Sequence, residues 1–229
     1  MKTIFFDLDD TLYFRRDAFY IAFKKYFKID DDVLMKKCND TCRIRGDEVF
    51  YDAQRGKITM DQMYIYRFQK GFSDCGISIT EQEALDFHSL YKTELYSLKL
   101  NNDVIELLDF AKQNFLQLGI ITNGPVSHQW NKVKNLGLNE WIDEKLTIVS
   151  AEYCVDKPDL ELFRIAQKKS CCVENEIMII GDSFNNDIIP ASTLGWHTVW
   201  VDLYNENLNA PEYTVKDINQ IIPILKKFL

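Results

Sequence analysis

Short apolar runs, each about the length of a β-strand, recur along the chain and end in polar or glycine residues. Successive residues are apolar, rather than alternate ones, so each run fits a strand of a parallel sheet that is covered on both faces. Segments with helical spacing of apolar residues separate the runs. This alternation predicts a doubly wound α/β domain. The runs are residues 3–6, 116–121, 146–149, 177–180 and 197–201, and the intervening helices are expected at 103–114, 126–135, 159–169 and 187–194.

One long interval breaks this alternation. No convincing strand is found between the first run and residue 97, while apolar residues recur there at helical spacing, as at Phe19 and Phe23. Thr80, with Glu83 three residues later, has the pattern of a capping box and predicts a helix over 81–95. We therefore expect a helical domain inserted after the first strand. The predicted domains are 15–97 for the insertion, and 1–14 with 98–229 for the α/β core.

The end of the chain has a different pattern. Residues 215–229 combine apolar and charged positions as an amphipathic helix does, and Pro223 lies within them. Because proline lacks a backbone N–H, we expect a closing helix that is interrupted near this residue.

Composition and charge narrow the class of protein. The 229 residues are 46% hydrophobic and 27% charged, which is typical of a globular chain. The net charge of −8 argues against binding to a nucleic acid polymer, and a small anionic substrate would need a metal or a few well-placed cations. No apolar run could span a bilayer, and Asp7 ends the first run too early for a signal peptide, so a cytoplasmic location is expected. The sequence does not indicate an oligomeric state.

The six cysteines do not form an evident metal or disulfide pattern. Cys38 and Cys42 have helical spacing, but no second cysteine pair accompanies them, and the three histidines are scattered. Without a secretion signal, a disulfide framework is not expected in a chain of this length. We predict free thiols.

Acidic residues follow two of the apolar runs. In open parallel sheets, ligands bind beyond the carboxyl ends of the strands. Asp7 and Asp9 leave the first run two residues apart, so both can approach one site while Leu8 points into the core. Asp182 and Asp187 follow the fourth run. Carboxylates gathered in this way repel one another unless a cation joins them, and a set this small fits Mg²⁺ better than a Ca²⁺ cage.

Thr122 and Lys157 are candidates for binding a phosphate group. Thr122 follows the second run, and its hydroxyl and the next backbone N–H groups can donate to phosphate oxygens. Lys157 precedes a predicted helix and can pair with a carboxylate and with a transferring phosphoryl group. Taken singly, Thr122 also fits a helix cap and Lys157 a solvated loop. Their recurrence with acidic residues at strand ends favours a phosphate site.

The chain resembles the haloacid dehalogenase-like (HAD) hydrolases in four motifs that occur in the same order. The resemblance implies a Rossmann-like core with a C1 cap, the cap being the helical insertion 15–97. The match covers nearly the whole chain, and four ordered motifs are far more specific than any one of them. The motifs are Asp7-Leu8-Asp9-Asp10-Thr11-Leu12, Ile121-Thr122-Asn123-Gly124, Asp156-Lys157-Pro158, and Gly181-Asp182 with Asp187 five residues after Asp182.

The resemblance implies roles for the residues of the first motif. Asp7 would attack phosphorus and form an aspartyl-phosphate. Asp9 would protonate the leaving oxygen and then activate water. Mg²⁺ would be held by the Asp7 carboxylate, the Asp9 backbone carbonyl and Asp182, with Asp187 as a further ligand or as a residue that orients the ligands.

The remaining motifs imply the phosphate contacts. Thr122 and Lys157 would hold phosphate oxygens, Lys157 would also pair with Asp7, and Asn123 would assist in binding the substrate. The expected substrate is therefore a small phosphorylated metabolite.

The sequence leaves several functions open within this family. The first hypothesis is a Mg²⁺-dependent phosphatase of small phosphomonoesters. The stretch Arg55-Gly56-Lys57-Ile58-Thr59, followed by Arg67-Phe68, is similar to the branch of pyrimidine 5′-nucleotidases and acylneuraminate-9-phosphatase-like enzymes, which suggests a nucleoside 5′-monophosphate. A sugar-phosphate phosphatase, a phosphomutase and a catalytically idle binding protein are the alternatives. Asp9 argues against a dehalogenase, since the dehalogenases that the chain resembles lack this residue and the metal.

Overall fold

The computed structural model describes residues 1–115, 117–203, 206, 208–209 and 212–229, without the side chains of Tyr51 and Gln54. The chain divides into two compact units. The sheet unit consists of Met1–Phe14 and Lys99–Leu229, and the helical unit is Arg15–Leu98. Leu98 thus groups with the helical unit, one residue beyond the expected boundary.

The described residues of the sheet unit form six strands that all pair in parallel. Their order across the sheet is β3-β2-β1-β4-β5-β6, so β1 lies between β2 and β4. The chain builds the sheet outward from β1 on one side and then on the other, and ligands bind beyond the strand ends where such a reversal occurs. The predicted α/β fold with a parallel sheet is confirmed. The strands are β1 Thr3–Phe6, β2 Gln117–Thr122, β3 Thr147–Val149, β4 Ile177–Gly181, β5 His197–Val201 and β6 Tyr213–Val215.

Within the part of the chain that the structure describes, four α-helices form the helical unit and six lie in the sheet unit. Among the described residues, none of the helices has both the length and the apolar character required to cross a bilayer. The helical unit contains α1 Arg15–Phe27, α2 Asp32–Gln54, α3 Met60–Ser73 and α4 Glu81–Ser97. The sheet unit contains α5 Asn102–Asn114, α6 Val126–Asn135, α7 Ser150–Tyr153, α8 Leu160–Ser170, α9 Ile189–Thr193 and α10 Ile221–Leu225.

Aromatic stacking against the sheet holds part of the core of the sheet unit. The ring of Phe5 stacks on Trp196 with centroids 5.6 Å apart, and Phe163 meets the same indole edge-on at 5.6 Å. Phe5 is paired in register with Gly119 on β2. A Cβ at Gly119 would lie 2.4 Å from the Phe5 ring, so only glycine lets this ring cover the neighbouring strand. The central strands are thereby covered by apolar side chains, as their uninterrupted apolar sequences predict.

The helical unit has caps and a core of its own. Thr80 and Glu83 form the predicted capping box at the start of α4, which confirms the helix expected there. Thr59 and Gln62 form a second capping box at the start of α3. Each box satisfies backbone N–H groups that the first helical turn leaves without a partner. A cluster of buried phenylalanine rings fills the interior of this unit: Phe19, Phe23, Phe68, Phe72 and Phe87.

The end of the chain differs from the expected closing helix over 215–229. Val215 belongs to β6, a strand that the sequence analysis missed, and α10 is only five residues long. Pro223 is the third residue of α10 and does not interrupt it. Proline is tolerated there because the N–H groups of the first helical turn have no intrahelical acceptor.

Other element bounds also differ from the predictions, at β2 and in the segment after β4. β2 begins at Gln117 in the structure and extends through Thr122, while Leu116 of the predicted strand lies outside the described residues. The segment expected as one helix over 187–194 is a π-helical turn, Phe184–Ile188, followed by α9. The turn therefore starts three residues before the predicted helix.

Candidate active site

Three acidic side chains predicted to share a site lie together at the carboxyl edge of the sheet. Asp7 directly follows β1 and Asp182 directly follows β4, and these strands are neighbours. Asp187 returns to the same place through the π-helical turn after Ser183. One carboxylate oxygen from each of Asp7, Asp182 and Asp187 lies within 4.8 Å of the other two. Residues distant in sequence thus form one carboxylate cluster.

Lys157 joins two members of this cluster. Its side chain is only 4% exposed, and its Nζ donates to Asp7 Oδ1 and to Asp187 Oδ1, both at 2.6 Å. The same Nζ donates to the backbone oxygen of Ile121, 3.0 Å away, one residue before the end of β2. A buried ammonium with three acceptors is held in a fixed position.

Burial and the shared Lys157 ammonium shift the pKa values of the groups in this cluster. Burial raises the pKa of Asp7 to about 7, and the charge of Asp187 adds to this effect although Lys157 opposes it. Burial acts to lower the pKa of Lys157, but the carboxylates of Asp187 and Asp7 outweigh it and raise that pKa above its ordinary value. One ammonium cannot neutralise two carboxylates and the neighbouring Asp182. The site therefore favours a second cation.

The loop after β4 holds Asp182 and Asp187 by specific contacts. The carboxylate of Asp187 is fully buried, and its Oδ2 accepts from the backbone N–H of Ser183 at 3.1 Å. A Cβ at Gly181 would lie 2.5 Å from the same Oδ2, so this position requires glycine. The indole N–H of Trp200 donates to the backbone oxygen of Asp182 at 2.9 Å. Backbone and side-chain contacts together fix the loop.

Asp9 has different partners. Lys132 Nζ lies 2.7 Å from its Oδ1 and 2.8 Å from its Oδ2, and Gln129 Nε2 donates to Oδ2 at 3.0 Å. The hydroxyl of Tyr13 also donates to Oδ1. The sequence patterns did not indicate Lys132 and Gln129 as site residues. The available signal was their spacing of three residues on α6, which places two polar side chains on the face that also buries Val133.

Thr122 and Asn123 occupy the end of β2 and the residue after it. The Thr122 hydroxyl accepts a hydrogen bond from Gln129 Nε2. Both ends of the Asn123 amide bind the backbone of Lys157: Asn123 Nδ2 donates to the Lys157 oxygen at 2.9 Å, and the Lys157 N–H donates to Asn123 Oδ1 at 2.8 Å. Asn123 therefore fixes the loop that presents Lys157. The sequence predicted a role for Asn123 in substrate binding and did not predict these contacts to the loop.

The carboxylate cluster fits a hard divalent cation. Mg²⁺ prefers oxygen ligands and is bound in proteins through a few carboxylates, with other positions left to water and phosphate oxygens. Asp7, Asp182 and Asp187 supply such oxygens close together, and their charge exceeds that of Lys157. The donor atoms and the charge of the site thus match the cation expected from the sequence.

Comparison with known proteins identifies the family. A family model for haloacid dehalogenase-like hydrolases matches residues 4–201. The chain belongs to this family. The resemblance given by the four motifs is thereby confirmed, and so is the expectation of a hydrolase.

Curated HAD relatives are phosphatases, which are phosphoric monoester hydrolases. A glyceraldehyde 3-phosphate phosphatase of Methanocaldococcus jannaschii is 27% identical over 242 residues, covering 99% of this chain and 97% of the relative. A pyrimidine 5′-nucleotidase of Escherichia coli is 24% identical, covering 98% and 97%. A HAD hydrolase from Bacillus subtilis, solved with bound magnesium, matches the fold with a TM-score of 0.72 at 22% identity, covering 98% of each chain.

Proposed function

We propose that this HAD protein is a Mg²⁺-dependent phosphatase that hydrolyses small phosphomonoesters through an aspartyl-phosphate on Asp7. The observation that carries the proposal is the buried ammonium of Lys157, held 2.6 Å from both Asp7 and Asp187 beside Asp182. Phosphoryl transfer depends mainly on positioning and on neutralising charge, and this arrangement supports both. As part of the same proposal, the helical unit is the C1 cap and the sheet unit is the HAD core.

The proposed reaction has two displacements at phosphorus. In the first, a carboxylate oxygen of Asp7 bonds to phosphorus, the bond to the ester oxygen breaks, and Asp9 donates a proton to that oxygen. In the second, Asp9 takes a proton from water, whose oxygen bonds to phosphorus and releases phosphate from Asp7. Thr122 and Lys157 hold the phosphate oxygens during both steps.

A bound Mg²⁺ would neutralise the charge of the transferring phosphoryl group. Asp7, Asp182 and the backbone carbonyl of Asp9 are proposed to hold it, with Asp187 as a further ligand. The contacts of Asp187 to Lys157 and to Ser183 equally support a role in orienting the other groups.

Asp9 favours a phosphatase over a dehalogenase. An alkoxide leaving group requires a proton, whereas a halide ion leaves without one. Asp9 follows the nucleophile by two residues, and buried donors hold its carboxylate. Such a group has a use in ester hydrolysis and none in halide displacement.

The names of the relatives support two classes of substrate. The glyceraldehyde 3-phosphate phosphatases favour a small sugar phosphate, and the pyrimidine 5′-nucleotidase favours a nucleoside 5′-monophosphate. A phosphomutase would share the four motifs, and an idle binding protein would share the fold. The paired and mutually repelling groups around Lys157 favour a working enzyme over an idle one.

The test is release of inorganic phosphate by the purified protein. The panel contains an aryl phosphate, nucleoside 5′-monophosphates, and triose and hexose phosphates, each with Mg²⁺. We expect turnover that EDTA abolishes and that Asp7→Asn abolishes while the variant still folds. Activity that survives Asp7→Asn would remove the proposed nucleophile. Binding without turnover on the whole panel would favour the idle protein.

A further inference from the structure

A second buried lysine lies in the sheet unit, and the proposed reaction does not use it. The Lys132 side chain on α6 is 5% exposed, and its Nζ contacts both carboxylate oxygens of Asp9, at 2.7 and 2.8 Å. Gln129 lies one helical turn earlier and is 1% exposed. Its Nε2 donates to Asp9 Oδ2 and to Thr122 Oγ1. One face of α6 thus supplies two donors to Asp9 and links it to Thr122.

A purely stabilising ion pair does not explain this arrangement well. A buried ion pair often stabilises a fold less than apolar side chains of similar size would, because both charges lose their hydration. Lys132 contacts both oxygens of the Asp9 carboxylate, so the contact fixes the rotation of this carboxylate as well as its position. A Cβ at Gly124 would lie 3.2 Å from the Gln129 side chain, so the glycine after Asn123 leaves room for this bridge. These contacts restrict the orientation of a group that must transfer protons.

We propose that Lys132 and Gln129 are positioning residues of the hydrolysis reaction. They hold the carboxyl group of Asp9 in a fixed orientation relative to Thr122. The group that donates and then accepts the proton is thereby aligned with the phosphate bound at Thr122. This inference rests on the proposed function, in which Asp9 transfers protons and Thr122 binds phosphate. Lys132 acts through Asp9, whose carboxylate it holds.

The inference makes a prediction about leaving groups. An alkoxide leaves slowly without protonation, whereas a nitrophenolate leaves readily without it. If Lys132 orients Asp9, its loss slows the first displacement with an alkyl phosphate much more than with p-nitrophenyl phosphate. General damage to the fold or to phosphate binding would slow both substrates alike.

The experiment compares Lys132→Met and Lys132→Arg with wild type in the presence of Mg²⁺, on p-nitrophenyl phosphate and on glycerol phosphate. We expect Lys132→Met to lower kcat/KM, which reports on the first displacement, about 100-fold for glycerol phosphate and only about tenfold for the aryl ester. Lys132→Arg, which keeps the charge and the donors, should restore part of the loss. Lys134→Met removes an exposed lysine from the same helix and should behave as wild type.

Two further variants separate the inference from the proposed function. Asp9→Asn should show the same leaving-group dependence, and adding Lys132→Met to it should lower kcat/KM by a further factor of less than about three. If Asp9→Asn shows this dependence and Lys132→Met does not, the positioning role is wrong while the proposed function stands. If wild type hydrolyses no ester of the whole panel, both are wrong. Should Lys132→Met fail to fold, Gln129→Met is measured by the same comparison, and an equal loss on both esters contradicts the inference.

Discussion

At the scale of a single residue, the proposed role of Asp7 requires an ionised carboxylate, while its buried environment favours the protonated form. A nucleophile must be ionised, yet burial raises the pKa of Asp7 to about 7, and the charge of Asp187 contributes to the same shift. Lys157 acts to lower this pKa but does not outweigh burial, and its ammonium is shared with Asp187. A divalent cation at the cluster would favour the ionised form and release the proton. Metal binding and activation of the nucleophile are thereby linked.

The first prediction is a pH dependence of the stability of the metal-free protein. The folded protein keeps the proton on Asp7 up to about pH 7, while the unfolded chain releases it near the ordinary pKa of 3.8. The stability contributed by this group is fully present below that ordinary pKa and is lost as the pH rises through 7. From about pH 5.5 to about pH 8, the free energy of unfolding of wild type in EDTA should fall by about 2 kcal/mol relative to Asp7→Asn.

Urea unfolding followed by circular dichroism at several pH values measures this difference. Glu106→Gln, at an exposed position of α5, controls for the removal of one negative charge and should follow wild type. A difference between wild type and Asp7→Asn that stays constant with pH would contradict a raised pKa at Asp7.

The sequence indicates some site residues and hides others for a physical reason. Asp7, Thr122 and Asp182 end or follow strands, and parallel strands bring their carboxyl ends to one edge, so their proximity can be predicted from the order of the elements. Lys132 and Gln129 lie in the interior of a helix. Their burial depends on how α6 lies against the sheet, and this packing cannot be derived from local spacing alone.

At the scale of elements, the crossing of α2 and α3 depends on one glycine. A Cβ at Gly71 would lie 2.5 Å from Cys42 Sγ and 2.6 Å from Cys42 Cα. One of these neighbours is a backbone atom, so the two helices would have to move apart. Gly71 therefore permits a close helix contact that any larger residue prevents.

The second prediction is that Gly71→Ala destabilises the protein by about 1 to 3 kcal/mol, the usual cost of overpacking, as measured by urea unfolding followed by circular dichroism. Gly46→Ala in α2 is the matched control. The three atoms nearest to its Cβ would all belong to the flexible Arg67 side chain, with Cδ at 3.1 Å. Alanine also favours a helix over glycine by about 1 kcal/mol, so this variant should be neutral or more stable. Equal destabilisation by both variants would show that the close contact at Gly71 is not the cause.

The sequence predicted the buried central strands of the sheet but not β6, a short strand at its edge. The central strands β1 and β4 are buried at every residue, and their apolar runs are unbroken. β6 has three residues at the edge of the sheet, and only Val215 among them is buried. A short edge strand lacks the apolar run that identifies a buried one, and its pairing with β5 is settled by tertiary contacts.

At the scale of the whole molecule, the net charge of −8 opposes the binding of an anionic ester. The site must therefore attract phosphate locally. Lys157 supplies one positive charge but is already shared by two carboxylates. The proposed Mg²⁺ would supply the remaining charge, so the folded protein, in which the carboxylates are gathered, should bind Mg²⁺ more tightly than the unfolded chain.

The third prediction follows from this difference in binding. A cation that binds only the folded protein stabilises it, and each tenfold increase in Mg²⁺ above the dissociation constant should add about 1.4 kcal/mol to the free energy of unfolding. Asp182→Asn removes a proposed ligand and should shift this dependence to higher Mg²⁺, while the exposed variant Glu106→Gln should keep it. Urea unfolding across a Mg²⁺ series measures the shift without any substrate. If Asp182→Asn is stabilised at the same Mg²⁺ concentrations as wild type, Asp182 does not hold the cation.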